Sequence, residues 1–393
     1  MSYLYRTPLD QHRREIRLLE IIKPFANDLN GREVHCKMFT IIFITENLLA
    51  ALWHVKIRTA HEGCIIWADA ISINQCDDVE KAQQVQLMYD IYEMQSLALP
   101  FLVFQVTNSG LAIETIEAWG EAGCNIRTNE EILEIARSQP KLFDPRAWEA
   151  VLQLFERPWW RRLWAIQEVV ALKYCSLLCG LDVLHWYSLY YAKRLWILID
   201  EFDLEFGREQ IRALSQAMNP AILWMIKKTD YQFRILYEQT KFGLLEVLDD
   251  CRGFRVTDAR DRIYGLLGMA RMQGKIPVDY STSVSQVYYD LARSVTNYTN
   301  RLDVIRYSGD FLHGRYVPQH SPDLDIPSWV PNWEKGFRED PFFNCLPAHI
   351  YSASGSVDAA VSFSNGCVLH TCGVLCDTIQ GISYRMYEAD RLS

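Results

Sequence analysis

An excess of positive charge is the first thing this chain lacks. Lysine and arginine number 40 against 49 aspartates and glutamates, a formal net charge of -9 with a pI near 5.6. The long-range attraction to polyanions that nucleic-acid binders and membrane-surface proteins exploit is therefore missing, so no nucleic-acid partner is expected. Long apolar runs are missing too. The most apolar early stretch, MFTIIFITENLLAALW, is interrupted by Thr45, Glu46 and Asn47, well short of the roughly 20 residues that cross a bilayer. No membrane span is expected. The N-terminal MSYLYRTPLDQHRREIRLL shows no short basic region leading into an apolar core and a small-residue cleavage site, so no secretory signal is expected and the location read from the sequence is cytoplasmic.

A disulfide framework is also lacking. The 11 cysteines are an odd number scattered through a long chain, which fits reduced, mostly buried thiols. Metal-ligand spacing is weak: Cys367, His370, Cys372 and Cys376 crowd into ten residues of apparent strand, whereas zinc sites set two close ligand pairs apart by a longer loop. Buried thiols, and no metal, are the expectation. Internal repeats, low-complexity tracts and Pro/Gly/Ser linkers are absent as well, so boundaries come from changes of pattern.

What the chain has is apolar and aromatic content, 49% and 12% of its residues, beside 23% charged. That composition predicts a packed globular protein, and 393 residues suggest two or three domains. Three regions emerge: 1–180, a helical region at 181–300, and a small β-rich region at 301–393. In the first, Thr45 caps a short helix carrying Leu48, Leu49, Leu52 and Val55. Cys64 to Asp69 reads as a buried, parallel strand with Asp69 at its C-terminal end. Asp77 and Glu80 have capping-box spacing before a helix whose face is Ala82, Val85, Met88, Tyr89 and Tyr92. Strand, loop and helix make half of a βαβ unit, so the class is α/β. A further strand is expected at 97–106, demoted toward an edge by Pro100. Residues 110–156 read as helical, anchored by Trp119, Ile132 and Trp148 and broken at Pro140 and Pro145.

The densest stretch is RPWWRRLWAIQEVV at 157–170, where a lone Glu168 ends a run of tryptophans and arginines. Trp164 and Glu168 are four apart and share a helix face. Farther on, Asp258 to Gly268 reads as a capped short helix closed by glycine. Ser283 opens another helix, with Val284, Val287, Tyr288, Leu291 and Val295 on its buried face. In IPSWVPNW, 326–333, two prolines forbid a regular helix and two tryptophans need burial.

Taken together these blocks resemble the fungal heterokaryon-incompatibility (HET) domain. The likeness rests on WADAISINQ at 67–75 followed by Glu80, Gln84-Val85, Met88 and Ile91-Tyr92. It rests also on Arg157-Pro158-Trp159, Arg162-Leu163-Trp164 and Gln167-Glu168, on Asp258 to Gly268, on Asp279-Tyr280-Ser281 and on Pro327 to Pro331. The chain departs from the family pattern in three places. A strand and glycine turn reading Ala-Leu-Ser-Tyr-x-Trp-Gly is missing near 37–45, Ser72 stands where the family has Cys, and the family's Trp-Leu-Gly is blurred into Val103-Phe104-Gln105.

The HET domain is remotely similar to TIR domains, which share the Trp-to-Glu spacing and need that Glu to cleave NAD. The resemblance thus implies a Rossmann-like, TIR-like N-terminal domain and makes Glu168 the candidate catalytic residue of an NAD glycohydrolase. A carboxylate beside the ribose stabilises the oxocarbenium character of bond cleavage. Trp164 can stack on a base, and Arg157, Arg161 and Arg162 can hold a pyrophosphate. Asp69 stands where ligands collect in open α/β sheets. NAD enters as substrate, with no cofactor required.

Structural readings stand beside these: Glu168 as an exposed, salt-bridged turn, Asp69 as a cap on the Ile71 to Asn74 turn, the arginines as ion-paired stems over Trp159 and Trp160, and Asp258, Arg260 and Asp261 as a salt-bridged helix start. At the level of function, an effector of programmed cell death in non-self recognition competes with a non-catalytic module that self-associates and recruits protein partners. The missing block favours the second.

Overall fold

The computed structural model describes residues 18–21, 33–35, 41–43, 45–58, 64–94, 108–171, 175–180, 182–201, 208–217, 225–226, 244–270, 275–312, 315–318, 324–334, 358–364 and 368–373. It divides into two compact units, Met1–Phe242 with Gly253–Val256, and Gly243–Arg252 with Thr257–Ser393.

The first unit opens with short strands β1 (Leu19–Ile21), β2 (Glu33–His35) and β3 (Ile41–Phe43) and helix α1 (Glu46–Arg58). Thr45 caps α1, its Oγ1 accepting from the Leu48 amide. Strand β4 (Cys64–Ile66) forms within the expected apolar run, but it lies antiparallel to β1, with Leu19 opposite Ile66. This corrects the parallel expectation: an apolar run reports burial, and the partner alone sets direction. β2 and β3 also pair antiparallel, flanking the place where the family's strand-turn block is missing; residues 36–40, like the strand expected at 97–106, lie outside the described residues.

After β4 the chain turns through α2 (Asp69–Ser72) into α3 (Asp78–Met94). Asp77 caps α3 as expected, its Oδ1 accepting from the Val79 and Glu80 amides at 3.0 and 3.1 Å. The Glu80 carboxylate reaches past Asp77 to the Asn74 amide, 2.9 Å, and closes the preceding loop. A run of helices follows: α4 (Ser109–Asn125), α5 (Asn129–Ser138), α6 (Pro145–Phe155), α7 (Ala165–Val170), α8 (Trp186–Glu201) and α9 (Arg208–Ala217). A hairpin of β5 (Ser176–Cys179) and β6 (Asp182–His185) precedes α8, and Gly180 takes the positive φ of 59° at its turn.

Pro140 starts a 3-10 turn and Pro145 the first turn of α6, positions where a missing amide costs nothing. Helices α4 and α8 pack closely because Gly120 and Gly123 present no side chain to them: an added Cβ would lie 2.7 Å from the Ser188 carbonyl and 2.1 Å from that of Tyr191. Glu117 of α4 accepts from the His185 amide and the Ser188 hydroxyl, 3.0 and 2.5 Å, supplying acceptors at the N-terminus of α8. Trp119, Trp148 and Trp196 meet at ring separations of 4.3 and 5.7 Å. They are the centre of this unit's core.

The second unit contains α10 (Leu244–Asp250), the single turn α11 (Asp261–Tyr264) and α12 (Val284–Thr299). Two antiparallel hairpins follow, β7 (Gly309–Leu312) with β8 (Arg315–Pro318) and β9 (Val361–Ser364) with β10 (Val368–Thr371). Ser283 caps α12 by accepting from the Gln286 amide. Arg252 is buried and donates to Asp249 and to the carbonyls of Asn332 and Tyr307 while covering the Trp333 ring. Asp258, Arg260 and Asp261 form a structural knot: Arg260 pairs with Asp258 and donates to the Tyr280 and Thr282 carbonyls, and the Tyr280 hydroxyl donates to Asp261. Across all described residues the class is mixed and helix-rich, with strands only in antiparallel two-stranded sheets. None of the described helices is long and apolar enough to cross a membrane.

Candidate active site

The stretch from Arg157 folds as a 3-10 turn, Pro158–Arg161, with proline at its start. Its two tryptophans point inward. Trp160 donates to the Leu154 carbonyl at 2.8 Å and packs against Phe155 and Trp186. The next residues are clamped by a segment far along the chain: Arg255 donates its amide to the Arg161 carbonyl at 2.5 Å, and Leu163 returns a bond to the Arg255 carbonyl at 3.0 Å, an isolated parallel bridge. Helix α7 then begins, with Trp164 at its cap position and Glu168 in its first turn.

Glu168 is half-buried. Its Oε2 accepts the indole N–H of Trp159 at 3.0 Å. Burial pushes its carboxyl above the ordinary carboxylate range; the Arg162 cation opposes this, the Asp69 carboxylate reinforces it, and the Trp159 bond opposes it. Tyr92, at the end of α3, feels the same neighbours. Its hydroxyl is held well above the usual phenol range by burial first and then by Glu168 and Asp69, against Arg162. Trp67 lies edge-on to Tyr92 with ring centres 5.8 Å apart, and its buried Nε1 makes no hydrogen bond among the described residues.

Asp69 starts α2, where its Oδ1 accepts from the Ala70 amide at 2.7 Å. Its carbonyl accepts from the Ile73 amide and the Gln75 side chain. Ser72, standing where the family has Cys, is buried and accepts from the Ala68 amide. The WADAISINQ block is therefore a closed turn that carries Trp67 and Asp69 toward Tyr92 and Glu168.

Of the residues expected at the site, the structure brings Glu168, Asp69 and Arg162 into one electrostatic group. Arg162 is exposed, and its charge reaches both Glu168 and Tyr92. Trp164 is half-buried on the turn before Glu168. Arg161 is half-buried and contributes its carbonyl to the clamp. Arg157 is directed elsewhere: only 9% exposed, it donates to Cys179 Sγ at 2.5 Å and to the Ser109 hydroxyl at 2.7 Å, so its guanidinium serves the interior. Among the described residues no cluster of His, Cys, Asp or Glu has the arrangement of a metal site. Of the Cys367 group, His370 and Cys372 are described, His370 bonded to Ser364, while Cys367 and Cys376 lie outside the described residues.

Sequence reasoning did not put Trp67, Tyr92 and Trp159 at the site. The first two stand in blocks already singled out, on a strand end and a helix end that only packing brings together. Trp159 is nine residues from Glu168, and no helical period joins them because the 3-10 turn and the clamped residues intervene. The group as assembled offers a carboxyl whose proton affinity is raised by burial, a cation beside it, and indole surface for an aromatic ligand.

Residues 19–168 match the family described as heterokaryon incompatibility protein (HET). The chain is 26% identical over 354 residues to heterokaryon incompatibility protein 6, OR allele, of Neurospora crassa, covering 78% of this chain and 50% of that protein. It thus spans about half the length of that curated relative. No solved structure matches the chain. The matched segment runs from β1 to Glu168 itself and takes in Trp67, Asp69, Tyr92, Trp159 and Arg162, so the group just described lies wholly within the part of this chain that is similar to the HET family.

Proposed function

We propose that the chain is a fungal heterokaryon-incompatibility effector whose HET domain, in a Rossmann-like, TIR-like arrangement, cleaves NAD at Glu168 and promotes programmed cell death when the protein assembles. The name carried by the Neurospora relative supports the incompatibility role. The observation that carries the enzymatic part is Glu168: a carboxyl held by an indole N–H, its proton affinity raised by burial, beside Asp69, Tyr92 and Arg162. Breaking the nicotinamide-ribose bond leaves positive charge on the sugar, which an ionised Glu168 stabilises as it develops while water adds to the ribose carbon. Nicotinamide, ADP-ribose and a proton leave. In this reading Arg162 and Arg161 attract the pyrophosphate, and Trp164 or Trp67 stacks on a ring.

A non-catalytic module that self-associates and recruits protein partners is the second reading. It is favoured by large apolar side chains on the HET domain surface, Trp53 at 55% and Met94 at 75% exposure. Incubating the purified protein with NAD, with and without a crowding agent, beside Glu168→Ala separates the two. Nicotinamide release by the wild type alone supports the enzyme; folded, inert protein in both samples supports the module.

A further inference from the structure

We infer that Trp159 is a positioning residue for Glu168: its indole N–H ties down Oε2 and leaves Oε1 as the oxygen presented to substrate. The inference rests on the NAD-cleaving reading above and deepens it.

Three observations carry it. The Trp159 Nε1 to Glu168 Oε2 distance is 3.0 Å, and Oε1 has no hydrogen bond among the described residues. The indole is itself enclosed: Trp159 is 4% exposed, packs edge-on against Trp160 at 5.0 Å, and sits in a turn begun by Pro158 and clamped just beyond by Arg255. An indole N–H also only donates. It can bond an ionised carboxylate from either oxygen but cannot accept from a protonated one, so the contact orients Glu168 and favours its charged form. The other charged groups acting on Glu168 are the Arg162 cation and the Asp69 carboxylate. Of these only Arg162 also favours the charged form.

Trp159→Phe keeps the ring surface and removes the donor. In the full chain, nicotinamide release is expected to fall about tenfold in kcat at neutral pH with KM changed less than about twofold, and the acid limb of the kcat profile to move up by about one pH unit. A carbon-13 titration of the Glu168 carboxyl in ligand-free protein is expected to move the same way. An indole that serves packing alone leaves both profiles in place, and unmoved profiles in a variant that melts like wild type overturn the inference. If Trp159→Phe does not fold, the wild type decides: the Trp159 indole N–H resonance must shift as Glu168 titrates and lose that pH dependence in Glu168→Gln, and a resonance indifferent to pH overturns it. Should the wild type release no nicotinamide, the NAD reading fails. The ligand-free titrations then still show whether Trp159 holds the carboxyl.

Discussion

At Glu168, burial raises the proton affinity of the side chain and weakens the fold for the same reason. Its folded-state proton affinity is raised chiefly by desolvation. Between the ordinary carboxylate range and that raised value, the unfolded chain has released a proton the folded chain retains. Stability therefore declines as pH rises through this window and stays lower above it. Glu168→Gln carries no such penalty, so its melting temperature is expected to exceed that of the wild type at pH 7 to 8, with the gap closing as pH falls toward 4; melts across that range check it. Arg252 shows the opposite economy. It is 2% exposed, and removing its charge in Arg252→Met strands Asp249 and the carbonyls of Tyr307 and Asn332, for an expected loss of about 3 kcal/mol or more in urea unfolding. Sequence reading singled out Glu168 through the family resemblance and its spacing to Trp164. The weight of Arg252 was not legible, because the carbonyls it bonds stand 55 and 80 residues away.

Among the elements, caps were the most legible feature and close packing the least. Thr45, Asp77 and Ser283 each accept from the amides that their spacing foretold, since a cap is satisfied within four residues. Glu80 shows where such reasoning stops: its carboxylate closes the Asn74 loop in place of the second half of the box. The fit of α4 on α8 has no local signature at all. Alanine for glycine inside a helix ordinarily gains about 1 kcal/mol. Here Gly123→Ala is expected to lose about 1–3 kcal/mol instead, because its Cβ would stand 2.1 Å from the Tyr191 carbonyl. Gly110→Ala, whose nearest neighbour is the Asp182 carboxylate at 3.6 Å, is expected to be neutral or stabilising. Urea midpoints for the two variants test the contrast.

In the whole molecule, the site depends on a segment that no local pattern announces. The family match ends at residue 168, yet Gly253–Val256 belongs to the same compact unit, and Arg255 bonds the backbone on either side of Arg162. Arg255→Pro removes the amide that donates to Arg161. It is expected to lower the melting temperature and, where NAD is cleaved, to reduce kcat. Arg255→Ala keeps both backbone bonds and is expected to match wild type, so melting curves and nicotinamide release for the pair decide whether the clamp or the side chain matters. The sequence by itself determined the α/β composition, the helices from Thr45, Asp77 and Ser283 onward and the family likeness, because periodicity, caps and short motifs act between residues a few positions apart. Only the tertiary structure decided that β4 runs antiparallel to β1, that Arg157 turns inward to Cys179 and Ser109, and that Trp159, Tyr92 and Asp69 gather around one carboxyl. Strand direction, burial of a charge and the field at an acid all depend on groups brought together by packing, and spacing along the chain carries no record of them.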